Sequence, residues 1–191
     1  EHLLFKATPE ENAHAHRVTM EEVLDSAAEK LSHDPAFRQE PEITATLRLA
    51  IGTTYYKMGR LTEAEYHLRD AWNLRRNTLG ARHVDTCIAQ ARLAECLVVG
   101  LRRFEEGEPL ALEAWRELEM QLGRKHPQTV EAFYAYFGAV TIPGMRITEA
   151  ERLGRELLVL RETVNGPDDY RTTDMLGNLA FILAVQGKYA E

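Results

Sequence analysis

The chain has 191 residues, with 23 Lys and Arg against 30 Asp and Glu, a formal net charge of −7, 45% hydrophobic and 28% charged residues. That balance is of a folded globular chain and excludes a disordered one, and the acid excess argues against a nucleic-acid binder, which needs clustered cations. The longest apolar runs, Leu179 to Val185 and Cys96 to Val99, fall far short of the roughly 20 residues of a bilayer span, so no direct membrane insertion is expected.

Two cysteines, Cys87 and Cys96, make no disulfide framework, so a reducing, cytoplasmic setting is the expectation. The first residue is Glu1 rather than Met, and no basic stretch runs into an apolar one. The sequence therefore reads as a processed chain or an excised piece, with a membrane anchor outside it left open.

Residues 1–39 carry two capping-box patterns, Thr8-Pro9-Glu10-Glu11 and Thr19-Met20-Glu21-Glu22, each predicting a helix. Val23, Leu24, Ala27, Ala28 and Leu31 make an apolar stripe on the second, which is expected to partner the first full helix pair.

Residues 40–191 read as a repeat array with units at about 44–86, 87–129 and 130–172 and a partial one at 173–191. In the first unit Ile43, Leu47, Ala50, Ile51, Tyr55 and Met58 predict one apolar stripe, and Gly59 ends that helix. Thr62 with Glu65 predicts a capping box for the next, with Leu61, Ala64, Leu68, Ala71 and Trp72 buried. Arg75 and Arg76 in its last turn suit the helix dipole, and Gly80 stops it. Unit two inserts one residue around Val99-Gly100-Leu101, and its Pro109 predicts a helix that starts near there or kinks. Unit three places Pro143-Gly144 where its first helix ends, then repeats the capping box with Thr148 and Glu151.

The period itself is explicit. Leu79-Gly80-Ala81-Arg82-His83-Val84-Asp85-Thr86 recurs as Leu122 through Thr129, 43 residues later, and again at Asn165-Gly166-Pro167 through Thr172. Ala71-Trp72 returns as Ala114-Trp115 at the same offset. Small residues at Gly52, Ala64, Ala71, Ala94, Ala114 and Ala150 let paired helices approach closely. The expected fold is all-α, a right-handed α-solenoid of antiparallel helix pairs.

Gly52, Tyr55, Gly59 and Ala64 resemble the tetratricopeptide repeat, and the lengthened unit with its Leu-Gly-x-x-His-Pro-x-Thr connector resembles the kinesin-light-chain type over roughly residues 40 to 191. The run from Ala7 to Asp25 is also similar to the segment between kinase and repeats in some bacterial serine/threonine kinases. Those resemblances imply a non-catalytic protein-interaction scaffold, part of a larger signalling or regulatory chain, with a protein or peptide partner and no cofactor.

Other chemistry is poorly supported. His14 and His16 are two residues apart and point in different directions on a helix; His83 and Cys87 are only two ligands where zinc needs three or four. His83 and His126 read as connector residues at helix starts. Glu21-Glu22, Glu105-Glu106 and Asp168-Asp169 sit at helix starts, where acidic groups offset the dipole. No nucleophile elbow, zincin motif or phosphate loop occurs, so no catalytic or metal residue is assigned. The cluster Arg69, Arg75, Arg76 and Arg82 reads as a solvated, dipole-compensating face.

The resemblance implies that the first helix of each pair lines a concave face. On the side away from the apolar stripe, unit one carries Thr46, Leu49, Thr53 and Tyr56, and unit two, 42 residues on, carries Ile88, Ala91, Glu95 and Val98, with Arg92 alongside. Asn178 matches an asparagine that often contacts ligand backbone in this family, where Ala50 and Arg92 stand in units one and two. Thr46, Leu49, Thr53, Tyr56, Ile88, Arg92, Glu95 and Asn178 are the candidate partner-binding residues. Self-association as a homo-oligomer and a ligand-sensing arm of an enzyme on the same chain are the alternatives.

Overall fold

A computed structural model describes residues 19–188. The first capping-box pattern at Thr8, the pair His14 and His16, and most of the kinase-similar run lie outside the described residues. The chain divides into two compact units, Glu1–Asp34 and Pro35–Glu191. In the first, helix α1 spans Met20–His33, and its start is a full capping box: Thr19 Oγ1 accepts the Glu22 N–H at 3.2 Å and Glu22 Oε2 accepts the Thr19 N–H at 2.9 Å.

The second unit is a series of helix pairs: α2 (Pro41–Lys57) with α3 (Leu61–Leu79), α4 (Val84–Glu95) with α5 (Phe104–Leu122), α6 (Pro127–Thr141) with α7 (Ile147–Asn165), and then α8 (Tyr170–Val185). Each helix packs on its sequence neighbours, and α4 also lies against α6, as stacked pairs require. No strand occurs among the described residues. The fold is an α-solenoid.

Close approach is literal at Gly52, where an added Cβ would come within 2.8 Å of Leu68 Cγ. Ala64, Ala71, Ala94, Ala114 and Ala150 are fully buried. Trp115 extends the core between pairs, its ring stacked 4.4 Å from Phe133. Starts are capped by the connector: His83 and His126 Nδ1 accept the N–H of Asp85 and Gln128 at 3.2 Å, and Asp169 Oδ1 accepts that of Arg171 at 2.9 Å.

Unit two's extra residue has a specific location. The buried threonines Thr44, Thr86, Thr129 and Thr172 are spaced 42, 43 and 43 residues apart, whereas the left-handed residues ending the first helices, Gly59, Arg102, Gly144 and Gly187, are spaced 43, 42 and 43. One residue is therefore added inside unit two's first helix, and α4 continues as a π-helical turn, Cys96–Gly100, with the Leu101 N–H bonded to the Cys96 carbonyl at 2.9 Å. Unit three instead lengthens its loop, between Gly144 and Ala150.

Four local expectations are corrected. The buried face of α2 is Thr44, Ala45, Arg48, Ile51, Gly52 and Tyr55, while Ile43 and Leu47 are 53% and 38% exposed. Neighbouring registers share the same spacing, and pairing with His67 and Asp70 makes Arg48 the buried one. Thr62 and Thr148 cap nothing: α3 and α7 start after Arg60 and Arg146, whose guanidiniums bind Glu63 and Glu149 one turn on. α5 starts at Phe104 and runs through Pro109; so near the helix start the ring costs one backbone bond, to the carbonyl of Glu105. Arg75 is buried, donating to the Asp85 carbonyl at 3.0 Å and to Thr46 Oγ1 at 3.4 Å, so it clamps helices together where a solvated face was expected.

Candidate functional site

The first helices of the pairs meet in one groove of about 530 Å³. The C-terminal half of α2 contributes Thr53, Tyr56 and Lys57; α4 contributes Arg92 and Glu95; the N-terminal half of α6 contributes Gln128, Glu131 and Tyr134; and the start of α8 contributes Tyr170, Arg171 and Asp174. Arg161 reaches in from α7.

Glu131 lies at the centre of a charge network. Arg161 Nη1, Arg171 Nη1 and Arg92 Nη1 lie 3.5, 3.6 and 3.8 Å from its carboxylate. Arg92 also donates to Glu95 at 3.0 Å, and Arg171 to Asp169 at 2.9 Å. Arg161 is only 2% exposed; its guanidinium lies 4.7 Å over the Tyr134 ring, and its Nε and Nη1 have no hydrogen-bond partner among the described residues. Tyr134 donates to Asp174 at 3.2 Å, which also accepts from Asn178 at 3.2 Å.

Burial dominates the local acid–base behaviour. It pushes the Glu95 carboxyl up, against the opposing pull of Arg92. Desolvation and then the Glu95 charge raise the Tyr56 phenol, and desolvation and then Asp174 raise Tyr134 to about 12. Both phenols are therefore neutral donors at neutral pH.

Of the candidate residues, the groove brings together Thr53, Tyr56, Arg92 and Glu95. Thr46, Leu49, Ile88 and Asn178 do not line it. Thr46 donates to the Glu42 carbonyl at 2.9 Å, Ile88 packs against the buried cluster of Cys87, Ala114 and Leu118, and Asn178 lies one turn beyond Asp174. Glu131, Tyr134 and Asp174 are legible in the period: Ile88 carried on by 43 and 86 residues lands on Glu131 and Asp174, and Ala91 by 43 lands on Tyr134. Arg161 belongs to a second helix and shares its repeat position with the buried Arg75.

Among the described residues no group of three or more His, Cys, Asp or Glu could hold a metal ion, and no helix is long and apolar enough to cross a membrane. Cys87 and Cys96 are both buried, with thiols pushed up to about 11 by that burial.

Residues 44–85 match the family model of the tetratricopeptide repeat. Comparison with curated proteins finds no match. The crystal structure of BtubC (BKLC) from P. vanneervenii is similar over 88% of this chain and 68% of that chain, with a TM-score of 0.72 and 16% identity, a likeness of fold. Repeats of this kind generally mediate protein–protein interaction and are typically non-catalytic.

Proposed function

We propose that this tetratricopeptide-repeat protein is a non-catalytic interaction scaffold that holds a protein or peptide partner in the groove formed by α2, α4, α6 and α8. The observation that carries this reading is the convergence of side chains from four repeat units on one open groove, with Tyr56, Tyr134 and Tyr170 among charged residues. Aromatic and arginine side chains are the types that dominate protein recognition, because they bury much area while losing few degrees of freedom. A role as one part of a larger signalling or regulatory protein fits such an arm and is part of the proposal.

The test is a binding comparison. The chain and a Tyr56→Ala, Arg92→Ala variant are used to capture proteins from the source lysate, identified by mass spectrometry, and each identified partner is then titrated calorimetrically against both. Loss of at least about tenfold in affinity in the variant, with helicity and melting temperature retained, supports the groove. Equal affinity for both proteins sinks it.

A further inference from the structure

We infer that Glu131 fills an anion subsite of the groove from within the chain and so decides the charge of the segment that docks there. With Glu131 in place the groove refuses a partner's acidic side chain; with Glu131 removed it accepts one. The inference rests on the groove being the partner site and assigns the residue that sets its selectivity.

The guanidiniums of Arg92, Arg161 and Arg171, from α4, α7 and α8, lie 3.8, 3.5 and 3.6 Å from the Glu131 carboxylate. Two of them have a carboxylate of their own, Glu95 at 3.0 Å from Arg92 and Asp169 at 2.9 Å from Arg171. Arg161 pairs with Glu131 while its buried Nε and Nη1 have no hydrogen-bond partner among the described residues. Asp174, also on the groove, is occupied by Tyr134 and Asn178 at 3.2 Å each. Without Glu131, three guanidiniums would face two carboxylates, and the buried one would lose its counter-charge, a costly state that an anion from outside relieves. The three separations exceed those of a direct hydrogen bond, so a carboxylate free of the backbone could approach the same donors more closely.

The repeat itself shows that the fold does not require a carboxylate here. Thr46 and Glu131 each stand two residues after a buried threonine, Thr44 and Thr129, and so hold the same repeat position. In unit one the buried arginine, Arg75, is seated by neutral acceptors, the Asp85 carbonyl at 3.0 Å and Thr46 Oγ1 at 3.4 Å. In unit three the matching Arg161 meets Glu131 instead, on the surface of the groove. A docking carboxylate would therefore meet a like charge at the one point where the cations converge, and like charges brought together suppress the wrong partner.

The test is chemical rescue and a gain of binding in the Glu131→Ala variant. Its melting temperature should lie below the parent's and rise when acetate replaces chloride at constant ionic strength, because a ligand of the folded state stabilises it. The parent should not respond, and neither should Glu117→Ala, which frees a solvated Arg82 outside the groove. Hexaglutamate, titrated calorimetrically, should bind Glu131→Ala at least about tenfold more tightly than the parent. Should Glu131→Ala fail to fold, Glu131→Gln, which keeps the side-chain volume, carries the peptide comparison. Equal affinity of parent and variant for hexaglutamate, no binding to either, or an acetate response no larger than that of Glu117→Ala overturns the inference. Acetate rescue requires no protein partner, so it stays readable if the partner-binding reading fails, and its own failure leaves the titration of partners intact.

Discussion

Arg146 Nη1 donates to Glu108 Oε1 at 2.6 Å, joining the start of α7 to α5 across 38 residues of sequence. The same rung recurs where Arg103 donates to Glu65 at 2.7 Å and Lys188 to Glu151 at 2.7 Å. Arg103 and Arg146 immediately precede α5 and α7, where no side chain caps the backbone, and each reaches a glutamate on the preceding second helix; Lys188, three residues past the end of α8, reaches one on α7 in the same way, so these rungs tie successive pairs together.

The Arg146–Glu108 rung is partly solvated, so it is expected to contribute about 0.2–1 kcal/mol. Arg146→Ala and Glu108→Ala should each lower the melting temperature slightly, and the double variant should lose less than their sum. High salt should shrink that coupling. Strict additivity in a double-mutant cycle would deny the rung any energetic role.

Gly107→Ala should be more costly. A Cβ there would lie 2.6 Å from Val98 Cγ2 and 3.3 Å from the Val98 backbone nitrogen, in fully buried surroundings at the π turn. Overpacking of this kind costs about 1–3 kcal/mol, although Ala64 and Ala150 occupy the matching position elsewhere. Chemical denaturation of the variant reads it directly, and an unchanged midpoint would mean that the π turn yields freely.

Arg102→Gly should stabilise the chain by about 1 kcal/mol. Arg102 holds φ at 56°, the left-handed conformation that Gly59, Gly144 and Gly187 adopt at the matching positions. Glycine relieves the Cβ crowding, offset by the lost contact of the guanidinium 5.5 Å over the Phe104 ring and by a more flexible unfolded chain. Thermal unfolding beside the parent checks the sign.

His67 should make stability depend on mild acid. It accepts from Arg48 Nη1 at 2.9 Å, and burial, then the Arg48 charge, lower its pKa from 6.5 to about 4. Between those values the unfolded chain binds a proton that the folded chain refuses, so this contribution is complete above about pH 7 and is lost as pH falls towards 4, amounting to about 1–3 kcal/mol. Glu106, Glu149, Glu151 and Asp169 have carboxyls held below their usual range by arginine or lysine partners, so they act at lower pH. His67→Gln keeps an acceptor for Arg48 without titrating, and its melting temperature should fall less between pH 7.5 and pH 5. Equal falls in both proteins would remove His67 from the account.

The sequence by itself determined the helix pairs, their 43-residue period, the His83 and His126 starts and the close contacts at Gly52 and the buried alanines, because these are local or periodic properties. A backbone hydrogen-bonding pattern and a buried small residue repeat wherever the spacing repeats. Tertiary structure decided what needs two elements at once. Arg48, Arg75 and Arg161 are buried because partners on other helices, His67, the Asp85 carbonyl and Tyr134, receive them. The choice between Ile43 and Thr44 as a buried position on α2 followed from that pairing, since both fit a 3.6-residue period. The groove too is a meeting of helix ends about 40 residues apart in sequence, and only the stacking of pairs brings Tyr56, Glu95, Glu131 and Arg171 onto one surface.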